Sequence, residues 1–339
     1  MKKIHAVWLS IIVLLTMLVV GCSQGTATDN LQSSAAKEQE GSKEKVTTIR
    51  FGHTTVPSML AVAKEQGWLE EEFKKDGIKI EYEKFLAGPP LIEAFAGGRL
   101  DFGQVGDQPA IQARANNIHI KAVGVYSSGS KSIGLVIPTG SQIKSFKELK
   151  GKKIGVTVGS VGHRLLYAYL KENGMSPKDI QQINLAPADI KLAIEQKNID
   201  AAVTYEPWIS TIEHKQIGHQ IADATGLLNN YSLYIVSESF AKEHPDIVKR
   251  VLKVLDKAEK WSRENPEKTI EYLSKVYGTD REILVKSTPR INYDIRLTTE
   301  AVQSIKDTAA ALKESKVIRK DVNVDDLVDA SFLKSIGVQ

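Results

Sequence analysis

The chain has a single cysteine, Cys22, among its 339 residues. No internal disulfide can form, and cysteine-built zinc knuckles and iron–sulfur sites are excluded. A charge surplus is missing as well: with Lys2 and Lys3 set aside, 43 basic residues face 41 acidic ones. No basic run alternates with aromatics, which make up only 6% of the chain, so nothing marks a nucleic-acid surface. Catalytic signatures are absent too. There is no G-x-S-x-G, no H-E-x-x-H and no G-x-x-x-x-G-K-[ST]. The seven histidines are scattered, and His214 and His219, five apart, do not share a helical face. Gly155, Gly159 and Gly162 follow a strand-like run, but the first spacing is wrong for a dinucleotide fingerprint. With no nucleophile–base set, the chain reads as a non-enzyme with no catalytic residue, cofactor or metal site.

One long apolar run is present, at the N-terminus. Lys2 and Lys3 precede residues 6–20, which are interrupted only by Ser10 and Thr16. That is long for a signal-peptide core and short for a membrane span of ~20 residues. The run ends in Val19-Val20-Gly21-Cys22, which resembles the bacterial lipobox, although Val20 is bulkier than the usual small residue there. Acylation of Cys22 would remove an unpaired thiol and tie the chain to a membrane. The expectation is a lipoprotein signal peptide over 1–21. Residues 22–46 contain almost nothing to bury and read as a flexible tether. No other segment of the sequence is apolar enough to cross a membrane. The remaining body, about 290 residues, exceeds the size at which one core usually splits in two.

Strand-like and helix-like pieces alternate through the body, the pattern of an α/β fold. Ile78, Ile80 and Tyr82 alternate with Lys79, Glu81 and Glu83, marking a strand with one wet face. Further strands are predicted near 48–52, 100–105, 119–126, 153–158, 199–204 and 231–237. A helix is predicted over 58–66, capped by Ser58 and stopped by Gly67. Segment 85–107 (FLAGPPLIEAFAGGRLDFGQVGD) aligns without a gap to 184–206 (NLAPADIKLAIEQKNIDAAVTYE). Leu86 pairs with Leu185, Asp101 with Asp200, and Asp107 with Glu206. Both copies read as strand end, helix, turn, and a strand closing on an acid. A unit used twice a hundred residues apart predicts two similar lobes rather than a solenoid. After Pro245 only helices follow, and Ile247, Val248, Val251, Leu252, Leu255, Ala258 and Trp261 form a packed stripe.

These residues carry a family resemblance. The stretch FLAGPPLIEAFAGGRLDFGQVGDQP (85–109) looks like the hallmark segment of aliphatic sulfonate-binding proteins of ABC importers. GKKIGVTVGSVGHRLL (151–166), NLAPAD (184–189) and IDAAVTYEPW (199–208) resemble that family's second-lobe pattern. The resemblance implies a type II periplasmic-binding-protein fold: two α/β lobes joined by two hinge strands, with extra C-terminal helices on the first lobe. Lobe 1 would hold 47–128 and 236–339, and lobe 2 would hold 129–235. It also implies a small anionic ligand, an ABC permease with its ATPase as partners, and a monomer lipid-anchored on the extracytoplasmic face. Taurine, nitrate and a thiamine-precursor-like heterocycle remain open as ligands, and an enzyme on this fold is the distant rival.

A sulfonate is anionic at any relevant pH, so the site needs fixed donors. The strand from Lys153 runs into Gly159, Ser160, Val161, Gly162 and His163 at a helix start, where free N–H groups and the helix dipole seat anions. Ser160 could equally cap the helix, and His163 could pack beneath it. A bulky residue at Gly162 is expected to weaken binding more than stability. In the first lobe, His53, Thr54 and Thr55 follow a strand end, and Gly88 and Pro89 open a helix. Asp107 and Glu206 close the repeat copies, where they would meet a cationic or hydroxylated part of the ligand, orient donors, or cap helices. Trp208 would wall an apolar tail or simply pack. Val161, Gln108, Tyr205-Glu206 and His53-Thr54 depart from the usual sulfonate pattern around the expected cleft.

Overall fold

The computed structural model describes residues 45–338. The predicted signal peptide, Cys22 and most of the predicted tether lie outside the described residues. Among the described residues, no helix is long and apolar enough to cross a membrane.

Ten strands form two five-stranded sheets. The first sheet starts with β1 (Thr48–His53), β2 (Lys79–Lys84), β3 (Phe102–Gly106) and β4 (Ile120–Ser128). The second sheet holds β5 (Ile133–Pro138), β6 (Lys153–Val156), β7 (Gln181–Asn184), β8 (Ala201–Tyr205) and β9 (Gly218–Asp223). The chain then returns to the first sheet with β10 (Tyr231–Ser237). The strand orders are β2-β1-β3-β10-β4 and β7-β6-β8-β5-β9. In each sheet three parallel strands are followed by an antiparallel one, β10 in the first and β5 in the second. This is the two-lobed α/β architecture expected from the resemblance.

The internal repeat is a structural one. Helix Gly88–Ala96 and strand β3 recur as helix Pro187–Glu195 and strand β8, each displaced by 99 residues. Each unit lays a proline-started helix against its sheet: Leu91 and Ile92 pack in the first lobe, Ile190 and Ile194 in the second. The alternating strand is β2, a sheet edge whose lysines and glutamates point to water. Helix Leu60–Glu65 starts later than predicted, because Ser58 does not cap it; the Ser58 hydroxyl lies 2.9 Å from the Tyr277 hydroxyl and accepts from Gln104 Nε2.

The C-terminal helices cover the first lobe. Helix Pro245–Glu264 buries Val248, Val251, Leu252, Leu255 and Ala258, as its stripe predicts, with Ile247 and Trp261 partly buried. The following segment also touches the crossing between the lobes. Asn292 N–H donates to the Ser128 carbonyl and Ser128 N–H to the Asn292 carbonyl, both at 2.8 Å.

Candidate functional site

The lobes are shut on each other around a small cavity of about 40 Å³. Three helices start at its wall. Gly88 begins helix Gly88–Ala96, Gly106 is the cap of helix Asp107–Ala115, and Ser160 is the cap of helix Val161–Glu172. The first N–H groups of a helix have no intrahelical acceptor, and the dipole adds partial positive charge there. The three starts are unequal: Pro89, Pro90 and Pro109 carry no N–H, and Gln108 N–H already donates to the Asp107 carboxylate at 2.7 Å. The second-lobe helix therefore has the fullest set of backbone N–H groups. Two of these helices belong to the first lobe and one to the second, so an anion seated between them bridges the cleft.

The rest of the wall is rich in hydroxyls. Thr54, Tyr126, Ser127, Ser132 and Ser232 line the cavity with Asn230. Burial pushes the Tyr126 phenol up to about 12, opposed by hydrogen bonding with Ser232, Thr54 and Ser127, so it is a neutral group at ordinary pH. The Asn230 side-chain amide donates to Ser132 Oγ at 3.2 Å, while its amide oxygen Oδ1 is buried without a partner. The Ser160 hydroxyl donates to the Thr157 carbonyl at 2.7 Å, so its proton is committed to the protein rather than to the cavity.

One carboxylate reaches the cavity. Glu206 is buried at 1% exposure and accepts from Arg290 at 2.7 Å and from both the hydroxyl and the N–H of Ser210. Burial raises its pKa; Ser210 and Arg290 oppose the rise. Arg290 comes from the segment after helix Arg281–Ser287 and also pairs with Glu213 at 2.9 Å. Glu206 thus caps helix Trp208–His214 and carries its own counter-ion.

Of the sequence-predicted residues, Thr54, Gly88, Ser160, Val161 and Glu206 line this cavity. The others lie elsewhere. His53 is buried with Nδ1 at 3.1 Å from the Thr54 carbonyl and its ring edge-on to Tyr277; burial lowers its pKa. Thr55 accepts from Trp208 Nε1 at 3.3 Å, a bond between the lobes rather than a ligand wall. Pro89 faces Gly159 across the cleft, and Gly159 sits at φ +82°, where a side chain would be strained. Gly162 lies against β8, where an added Cβ would stand 3.1 Å from the Val203 carbonyl oxygen, so it serves helix–strand packing. That proximity argues against the expectation that substituting it spares stability.

Asp107, Gln108 and His163 face the other side of the closed cleft. Asp107 is fully buried and accepts from Arg164 of the opposite lobe at 2.7 Å and from Thr308 at 2.8 Å. Burial raises its pKa, and Arg164 and Thr308 oppose the rise. This acid is occupied by protein donors and does not reach the small cavity. Gln108 and His163 border a larger groove. His163 Nδ1 accepts from Gly159 N–H at 3.4 Å, and burial lowers its pKa. Sequence reading missed Tyr126, Ser127, Ser132, Asn230 and Ser232. Their signal was position: all lie in or beside the two segments where the chain passes between lobes. Among the described residues, no three His, Cys, Asp or Glu side chains gather as a metal site.

A family model described as NMT1/THI5 like matches residues 54–269. The chain is 34% identical over 309 residues to a Bacillus subtilis protein assigned as an aliphatic sulfonates-binding protein, covering 90% of this chain and 92% of the relative. It is 28% identical to the taurine-binding periplasmic protein of Escherichia coli, covering 71% and 79%. The alkanesulfonate-binding protein of Xanthomonas axonopodis pv. citri, solved with bound MOPS, superposes with a TM-score of 0.75 at 26% identity, covering 84% and 99%.

Proposed function

The chain belongs to the NMT1/THI5-like family, and from that premise we propose that it is the substrate-binding component of an ABC importer that captures an aliphatic sulfonate between its lobes. The observation that carries this reading is the meeting of three helix N-termini at one buried, hydroxyl-lined cavity that both lobes frame. A sulfonate spreads one permanent charge over three oxygens, and fixed N–H and O–H donors serve such a head without supplying a net charge. Relatives whose names give aliphatic sulfonates and taurine as ligands support the same class.

The chain's own residues give the binding step its direction. A ligand that touches both lobes favours the closed arrangement over the open one and shifts the hinge equilibrium. The closed form is then the one a permease, powered by a separate ATPase, would receive. We place the protein on the extracytoplasmic face, as a monomer held by lipid on Cys22. We read it as a binding protein rather than a catalyst, a reading supported by relatives whose names give them as binding proteins and by the pairing of the Glu206 carboxylate with Arg290.

The test is a thermal-shift and calorimetry panel of ethanesulfonate, taurine, nitrate and a thiamine-precursor pyrimidine. A ligand at a thousand times its Kd stabilises by about 4 kcal/mol, so micromolar binders show at millimolar ligand. A response to ethanesulfonate is expected. Silence from both sulfonates with a response to the pyrimidine would replace this reading with the heterocycle one.

A further inference from the structure

The small cavity is bounded by contacts that join the lobes. Gly106 lines it, and the next residue, Asp107, pairs with Arg164 across the cleft at 2.7 Å. Glu206 lines it and pairs with Arg290 of the other lobe at the same distance. Thr55, between the lining residues Thr54 and Val56, accepts from Trp208 Nε1 of the second lobe at 3.3 Å. A water needs roughly 10–15 Å³ of such space, so a cavity of about 40 Å³ holds about three. That is room for the three oxygens of a sulfonate head with a carbon or two behind them, and not for a longer chain.

One wall of this cavity is fixed by the C-terminal part of the chain. Where the chain crosses between the lobes, the lining residues are Tyr126, Ser127, Ser132, Asn230, Ser232 and Ile291, of which Ile291 alone is aliphatic. The Ile291 side chain is buried, and its N–H donates to the Thr288 carbonyl at 3.1 Å. On one flank Asn292 exchanges both backbone hydrogen bonds with Ser128. On the other, the Arg290 side chain is bound to Glu206 and Glu213. A segment tied on both flanks does not swing aside for a longer tail.

We propose that the site takes only sulfonates of one or two carbons, and that Ile291 is the residue that sets this limit. The inference rests on the sulfonate reading above and narrows it. The anionic head belongs at the helix starts, above all that of helix Val161–Glu172, which leaves the tail to face the crossing segments and Ile291. A longer tail either meets Ile291 or holds the lobes apart, and in the second case the two ion pairs that span the cleft are not made. In an open-ended apolar pocket each added methylene improves affinity by about fourfold. Here that gain stops after the second carbon, and incomplete closure then weakens binding.

The probes are methanesulfonate, ethanesulfonate, butanesulfonate and octanesulfonate, titrated calorimetrically into the parent, Ile291→Ala and Ile291→Val. In the parent, butanesulfonate and octanesulfonate are expected to bind at least about tenfold more weakly than ethanesulfonate. Ile291→Ala lowers the wall and should improve butanesulfonate relative to ethanesulfonate by about tenfold or more. Ile291→Val removes a single methylene, which the fold tolerates, and should move the same ratio by about fourfold. Loose packing alone would weaken every ligand alike and leave the ratio where it was. Affinity that climbs about fourfold with each carbon in the parent, or a ratio that neither variant moves, overturns the proposal and leaves the sulfonate reading in place. Silence from every member of the series overturns both.

Discussion

Asp107 of the first lobe and Arg164 of the second meet at 2.7 Å with both side chains almost wholly buried. The repeat makes this contact half of a reciprocal pair. Glu206, 99 residues after Asp107, meets Arg290 of the opposite lobe at the same distance. Each repeat unit therefore ends in an acid that reaches across the cleft to an arginine. A buried ion pair contributes little net stability, but removing one partner leaves an uncompensated charge that costs about 3–5 kcal/mol. Here the chain has an escape, because opening the cleft returns that charge to water.

Arg164→Met is thus expected to disfavour closure rather than unfold the chain. Small-angle scattering at an ethanesulfonate concentration that closes the parent should show a larger radius of gyration, and sulfonate affinity should fall, while thermal unfolding changes less than it would for a broken core. Arg164→Met with Asp107→Leu should close the cleft again. An unchanged scattering profile in the single variant would show that the pair does not govern closure.

The second pair sets the charge of the small cavity. Without Arg290, the Glu206 carboxylate would face an incoming anion alone, so Arg290→Met should weaken ethanesulfonate binding by about tenfold or more. Glu206→Gln keeps an acceptor for Ser210 and removes the repulsion, so ethanesulfonate should be retained. Taurine carries an ammonium that can pair with Glu206, and it should lose affinity in that variant. Equal losses for the two ligands in Glu206→Gln would remove Glu206 from ligand discrimination.

Much of this was legible in the sequence, for definite reasons. The repeat was visible because each copy must put its apolar helix face and strand end in the same places. Strand β5 (Ile133–Pro138) was missed: all six of its residues are buried, so it has no period of two to detect. Strand β9 (Gly218–Asp223) was missed for the opposite reason, as a polar edge strand. The helix-start glycines pointed to the anion seat, while the hydroxyls of Ser127, Ser132 and Ser232 did not stand out among ordinary loop serines. Asp107 and Glu206 were marked as special acids. Their partners Arg164 and Arg290 lie 57 and 84 residues away, a pairing that only the fold supplies.

Another buried carboxyl in the first lobe makes stability depend on pH. Glu259 is buried against Ile295 N–H and Arg263, with Asp294 and Asp256 nearby, and burial raises its pKa from 4.5 to about 7. The unfolded chain releases this proton near 4.5 and the folded chain near 7. Stability from the group is therefore full at low pH and is lost as pH rises through that window. Glu259→Gln should match the parent near pH 4.5 and exceed it by roughly 1–3 kcal/mol at pH 8. Denaturant melts at the two pH values measure this; a parent that is the more stable at pH 8 would reverse the sign.

Gly106 offers the cleanest separation of closure from folding. Its backbone is extended, at φ −64° and ψ 160°, which alanine adopts without strain. The obstacle is steric and lies in the other lobe: a Cβ on Gly106 would overlap Val161 Cγ1. With the lobes apart there is nothing to hit. Gly106→Ala should therefore leave unfolding of the ligand-free protein within about 1 kcal/mol of the parent. It should weaken sulfonate binding by about tenfold or more, because the closed state must now displace Val161. Val161→Ala deletes the opposing methyl, so adding it to Gly106→Ala should recover affinity, with a coupling of about 0.5–3 kcal/mol in the double-mutant cycle. If Val161→Ala gives no rescue, the contact across the cleft is not what limits closure, and the wedge must act within the first lobe, where Pro109 Cδ lies 3.6 Å from the added Cβ.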